Sequence, residues 1–415
     1  MNKIYILMIA ICMLNIANAQ QKNHPIPNLG KEAINKPFHG NFPNQENPIP
    51  IKNLKQKSTK AIIWNYDTIV TYDTINNQYQ RATQTFNNNG NVLTIKKENW
   101  QNNAWVNSNI CNYTYDANGN KLTYLYEQWQ NNVWINNFKA SYTYDANGNM
   151  LTELSEEWQN NVWVNSGKST FTYDANGKWL TCLYEQWQNN AWINNFKAFF
   201  TYNSNGNMLT EIYEYWQNNA WVNNQKSTST YDANGNVLTY LYEQWQNNAW
   251  VNNQKSTSTY DANDNILTYL YEIWQNNVWV NYSRSTYTYD ANGNILTQLD
   301  ANWQNNVWLN ESKYYYTYDI NGNKLTQLQE LWQNNTWVFL KKYTYTYDAN
   351  ANSIKGMYQN WQNNNWVLSS GWLEVYTSKE LIYGLGTIAR YEAHFVSFTN
   401  GINENSNKQI NIYPN

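Results

Sequence analysis

The chain has 415 residues, carries a formal charge of −3 and is 42% hydrophobic. A weakly acidic chain lacks the basic footprint of a nucleic-acid binder, so no nucleic-acid partner is expected. Its 23 Trp and 36 Tyr, beside abundant Asn and Thr, exclude a disordered chain.

Residues 1–19 have the parts of a secretory signal peptide. Lys3 precedes the apolar run Ile4 to Leu14, and Ala17-Asn18-Ala19 is a small-x-small cleavage site. The run is too short to span a bilayer, and no later stretch reaches about 18 apolar residues. The chain is expected to be exported and to have no transmembrane segment. Residues 20–57 are a leader holding Pro25, Pro27, Pro37, Pro43, Pro48 and Pro50. No proline follows until Pro414, which suits a long paired sheet whose strands need every N–H donor. Cys12 falls in the signal segment. Cys111 and Cys182 occupy different repeat positions and are expected to stay free.

Residues 58–85 read as a degenerate capping repeat, with strand character at Ile62-Ile63-Trp64 and Thr68-Ile69-Val70-Thr71. Residues 86–366 are the array. Trp100-Gln101-Asn102-Asn103-Ala104-Trp105 returns from Trp129 to Trp361, each start 29 residues after the last (129 − 100), in ten copies. A second turn, Tyr115-Asp116-Ala117-Asn118-Gly119-Asn120, recurs with the same period. Thr-, Tyr- and Leu-rich segments without helical period lie between the turns. Asn-Asn and Asn-Gly between such segments signal hairpins. The fold class is all-β: an antiparallel hairpin meander of ten repeats and about twenty strands, curled into a superhelical ribbon or open shell.

Parity assigns the turn types. A two-residue turn at Asn131-Asn132 puts Trp129 opposite Trp134. A three-residue loop, Ala146-Asn147-Gly148, pairs Tyr144 with Met150 and keeps successive hairpins on the same face. The residual slip is two residues per repeat, the stagger of tilted barrel strands. On this parity Trp129, Leu125 and Thr123 share a face with Trp134, Phe138, Ala140, Tyr142 and Tyr144. The Trp pair is kept in every copy. The Tyr124 position varies to Glu153, Cys182, Glu211, Gln298 and Gln327, and the Tyr126 position to Ser155, Asp300 and Gln329. The Trp face is therefore expected to be buried and the Tyr face largely wet. Trp129, Trp134, Trp245 and Trp250 are assigned as a structural clamp.

Beyond the array, residues 367–400 are expected to give closing strands at Trp372 to Tyr376 and His394 to Phe398. Residues 401–415 are a linker ending in Ile410-Asn411-Ile412-Tyr413-Pro414-Asn415. Those six residues resemble the opening of the C-terminal sorting domain of type IX secretion substrates in Bacteroidetes. The resemblance implies the type IX machinery as a partner and delivery to the outer surface or the medium. Thr-Tyr-Asp-Ala-Asn-Gly-Asn resembles the YD-repeat turn of RHS and teneurin-like proteins, whose hairpins wind into a shell. Asp67-Thr68-Ile69 and Asp73-Thr74-Ile75 resemble the short O-glycosylation acceptor of Bacteroidetes proteins.

No catalytic set is legible. His24, His39 and His394 all lie outside the array, and there is no phosphate loop or zinc spacing. Asp116, Asn118, Asn120 and Glu127 mimic calcium-loop positions, but Lys121 stands where the loop needs Gly, and Glu127 lies about 23 Å along a strand. No metal or cofactor is expected. The first functional expectation is a non-catalytic structural or adhesive surface protein, with other surface proteins as partners. The second is a glycan-binding module using Tyr124, Tyr126, Gln128, Lys139, Tyr240, Tyr242, Tyr269 and Tyr271. The third is an RHS-like scaffold for a passenger.

Overall fold

The structure is a computed structural model describing residues 62–377, 380–399 and 402–403. The expected signal segment 1–19, leader 20–57 and terminal Ile410 to Asn415 lie outside the described residues.

The capping repeat forms strands Ile62–Asp73 and Gln78–Phe86. The array then alternates strands of 10 and 12 residues, such as Lys121–Gln130 and Val133–Tyr144. Both turns have the expected geometry. Asn131 and Asn132 take φ of +50° and +63°, the left-handed pair of a type I′ turn that asparagine tolerates best among non-glycine residues. Trp129 then sits opposite Trp134. In the second turn Gly148 donates to the Asp145 carbonyl at 3.1 Å and Asp145 N–H to the Asn149 carbonyl at 2.9 Å. Gly148 has φ +83°, which closes the three-residue loop, and Tyr144 pairs with Met150.

Stagger follows from the register. Tyr124 pairs with Ala140, and Ala140 pairs with Ser155. Ser155 lies 31 residues beyond Tyr124 (155 − 124), two more than the repeat. That is one residue of shear per strand, the ratio that tilts strands by about 36° in eight-stranded barrels. The sheet does close, which corrects the expected ribbon or open shell. Arg390–Thr399 pairs along Ile62–Asp73, with Ile69 opposite Ala393, and meets Ser353–Gln362 at Lys355, Gly356 and Met357. The ring is a barrel of 22 antiparallel strands. Closure removes two long unpaired edges that an open meander would expose.

The Trp372 to Tyr376 segment does not close the sheet as expected. Gly371–Thr377 and Glu380–Ile388 form a separate two-stranded hairpin. Its Leu373 and Val375 are fully buried against Tyr343, Tyr345, Tyr358 and Tyr391. Gly356 faces Tyr391 so closely that a Cβ there would collide with the ring.

The assignment of faces is reversed. Each repeat carries two bulges that the parity argument lacks. Tyr126 pairs with Phe138 while Glu127 pairs with Asn136, leaving Asn137 extra. Thr143 pairs with Thr152 while Tyr144 pairs with Met150, leaving Leu151 extra. Each bulge shifts the alternation by one, and the pair cancels over a repeat. Phe138, Ala140, Tyr142 and Tyr144 therefore join Tyr124 and Tyr126, not the Trp face. This Tyr face is the buried one: Ala140 is 2% exposed, Phe171 3%, Ala198 1% and Gln329 0%. Side chains on the concave side of a closed sheet converge and cover one another; those on the convex side splay apart. The Tyr face is thus the inside, where the Leu373 hairpin also packs, and the Trp face is the outside.

Candidate functional site

The Tyr residues nominated for ligand contact lie half-buried on the inner face of the barrel. Tyr124 and Tyr126 lie beside Ala140 and Phe138. The Tyr240 hydroxyl meets Ser227 at 2.7 Å, Tyr242 donates to Gln225 at 3.0 Å and Tyr271 to Gln254 at 2.6 Å. Tyr269 pairs with Ser285, and Gln128 donates to the Tyr126 hydroxyl at 3.4 Å. Burial pushes the phenols of Tyr240 and Tyr271 up to about 12 and raises those of Tyr124, Tyr242 and Tyr269. Only Lys139 of that set faces outward. The free Cys111 and Cys182 lie on the same half-buried inner face, and burial raises both thiols, so neither is poised as a nucleophile.

Variation at the Tyr124 position has a packing cause. Tyr124 faces Ala140, Tyr240 faces Ser256 and Tyr269 faces Ser285. Where the partner becomes Tyr314 or Tyr343, the position becomes Gln298 or Gln327. At these pairs large meets small across the strands, which expresses size compensation, whereas Tyr124 also packs on Tyr113 and Cys182 faces Ala198.

The outer face carries three repeated features. All ten Trp pairs stack edge to face with ring centroids 4.8–5.0 Å apart, as at Trp129–Trp134, Trp245–Trp250 and Trp361–Trp366. These indoles are half-buried on the outer face, so the clamp is a surface one. A Lys–Glu ladder runs from repeat to repeat: Lys139–Glu156 at 2.8 Å, Lys168–Glu185 at 3.2 Å, Lys197–Glu214 at 2.6 Å and Lys255–Glu272 at 2.7 Å. Each ammonium also lies over a Trp of the following repeat, Lys139 over Trp163 at 4.8 Å and Lys197 over Trp221 at 4.7 Å.

Between ladder and clamp runs a groove. One copy, of about 390 Å³, is lined by Thr181, Cys182, Leu183, Asn194, Lys197, Phe199 and Trp221. Another, of about 260 Å³, is lined by Thr152, Leu154, Asn165, Lys168 and Trp192. Every residue of the second set stands 29 positions before a counterpart in the first, so the same lining recurs in two neighbouring repeats. Sequence parity missed it because the Asn137-type bulge carries the lysines to the Trp side. The size compensation across the strands was the signal that would have placed the bulge.

Asp and Asn of the second turn hold the turn itself. Asp116 Oδ1 accepts the N–H groups of Asn118 at 2.9 Å and Asn120 at 2.8 Å, and Oδ2 accepts the Asn120 amide at 2.9 Å. The Asn120 amide, with the loop N–H groups, keeps the Asp116 carboxyl below its ordinary value. Among the described residues no group of three or more His, Cys, Asp or Glu could hold a metal ion.

No family model and no curated protein matches this chain. Among solved structures it is similar to a protein of unknown function from Bacteroides fragilis, at 12% identity over 29% of this chain and 92% of that one, TM-score 0.26. The Photorhabdus luminescens Tc holotoxin pore matches at 12% identity over 79% of this chain and 21% of that one, TM-score 0.26. A porin-like protein from Bacteroides uniformis matches at 11% identity over 60% and 95%, TM-score 0.26.

Proposed function

We propose that this chain is a non-catalytic structural or adhesive protein displayed outside the cell, with the outward side of its barrel as the contact surface. The observation that carries the reading is the recurrence of one outward groove at the repeat period. A rigid closed sheet bearing equivalent grooves suits many weak contacts acting together. Residues 1–19 and the ending Ile410 to Asn415 support export. The ladder argues against a bilayer-spanning barrel, whose outward band is apolar. An outward Lys at the bilayer midplane costs about 2–4 kcal/mol, and this barrel presents a row of Lys and Glu.

A second reading, glycan binding, fits the outward grooves, where aromatic and amide groups stand together. Two measurements test the proposal. Expression of the full coding sequence in its source cell should place the protein in the medium or on the surface, starting after Ala19. Beads coated with the protein should adhere to a cell or matrix surface. Replacing Lys139, Lys168, Lys197 and Lys255 with Glu should abolish that adhesion while leaving the β-sheet circular-dichroism signal intact. An intracellular protein, or beads that fail to adhere, would refute the reading.

A further inference from the structure

We infer that the outward grooves together bind one linear, uncharged glycan chain laid across the strands, about two sugar rings to each groove. The inference rests on the outward side being the contact surface, and it specifies the ligand.

Charge comes first. Each groove lysine is held by a glutamate of the next repeat, Lys168 by Glu185 and Lys197 by Glu214. The groove is therefore lined by a cation whose charge is already balanced. An anionic polymer would compete with those carboxylates, whereas a neutral one leaves the pairs in place. What remains for a ligand is the edge of a half-buried indole, the aliphatic wall of Leu154 or Leu183 and the Asn165 or Asn194 amide, since the Thr152 and Thr181 hydroxyls are bonded to those of Thr143 and Thr172. An indole edge and an aliphatic wall beside an amide fit a sugar, which is apolar on its C–H faces and polar around its rim.

Spacing comes second. Equivalent residues of neighbouring repeats are two strands apart, about 9.6 Å, and slip by two residues, about 6.6 Å along the strand. The grooves are thus separated by roughly 12 Å, on the order of two linked pyranose rings. Peptides are poorer occupants. β-Augmentation needs a free sheet edge, and the closed ring offers none along the groove row.

A row of linked weak sites has a characteristic signature: affinity rises steeply with ligand length until the row is filled. Titration calorimetry on the full chain would use gluco-, manno- and xylo-oligosaccharides of two, four, six and eight rings, with oligogalacturonate as the anionic control. At least one neutral series should gain roughly tenfold or more in affinity from two rings to six, with oligogalacturonate weaker at every length. Asn165→Ala with Asn194→Ala should cost several-fold for the six-ring ligand. Trp192→Phe, which preserves an aromatic in the clamp, should give a smaller loss. The Asn165→Ala, Asn194→Ala variant should unfold at the parent temperature, and Trp192→Phe somewhat below it because that change loosens the clamp. The inference is overturned if no neutral series binds, if affinity is independent of length, or if the anionic series binds more tightly. Bead adhesion that persists without glycan binding would overturn this inference alone. Loss of adhesion by the parent protein would overturn the underlying reading.

Discussion

At the residue scale the turns carry the specificity. Asn occupies both left-handed positions of the Trp turn, and Gly the left-handed position of the second turn. Two copies depart from this. Asp264 and Ala351 stand at the Gly position with φ +63°. Alanine pays the Cβ clash without the local hydrogen bond that Asp or Asn can offer. Ala351→Gly should therefore raise stability by about 1 kcal/mol, and Gly148→Ala should lower it by a similar amount, as read by denaturant unfolding with an unchanged slope. The Asp caps act at the same loops. Asp145 accepts backbone N–H groups of Asn147 at 2.9 Å and Asn149 at 2.8 Å, and its carboxyl is held below the ordinary value by the Asn149 amide and those N–H groups. A depressed carboxyl stabilises above its unfolded pKa, and the gain disappears as pH falls through the folded value. Asp145→Asn should therefore flatten the acid side of the stability profile, which thermal melts across the acid range would register.

At the element scale the strands, both turns and the two-residue slip were legible in the sequence, because each follows from local chemistry or a fixed period. The bulges were not. Asn137 and Leu151 carry no bulge signature of their own, since ordinary residues form them without positive φ. Two parity shifts per repeat are also invisible to a period that they leave unchanged. The consequence was large: an inward Tyr face read as the wet one. The pairing Tyr124–Ala140, against Gln298–Tyr314 and Gln327–Tyr343, contained the missing information. That compensation can be tested directly. Gln327→Tyr places two tyrosines side by side on the concave face and should cost about 1–3 kcal/mol through overpacking. Adding Tyr343→Ser should recover most of the loss, giving a favourable coupling in a double-mutant cycle. If the Tyr face were open to water, the two changes would simply add.

At the scale of the whole molecule, the interior is a collection of phenols whose ionisation burial opposes. Tyr115, Tyr144, Tyr173, Tyr202, Tyr240 and Tyr287 are each pushed up to about 12. A raised folded pKa favours the protonated native form, so this stability is complete below the unfolded value near 10 and is lost as pH rises through the folded value. The barrel should unfold cooperatively between about pH 10 and pH 12, with tyrosinate absorbance rising in step with loss of β-sheet signal. A gradual rise that precedes unfolding would mean the phenols face solvent.

Closure is the remaining feature of that scale, and no local signal announced it. The seam joins Ile62–Asp73 to Arg390–Thr399 from opposite ends of the described chain, with Thr68 opposite His394 and the His394 imidazole 2.7 Å from Asp67. The period could specify the curl but not the partner that ends it, because Arg390–Thr399 lies outside the repeat. A disulfide across the seam reads closure most directly. Thr68→Cys with His394→Cys, in a chain whose Cys111 and Cys182 are serine, should oxidise to a single intramolecular bridge in the folded monomer and raise the unfolding temperature. A folded monomer that keeps both thiols reduced under the same oxidant would contradict the closed barrel.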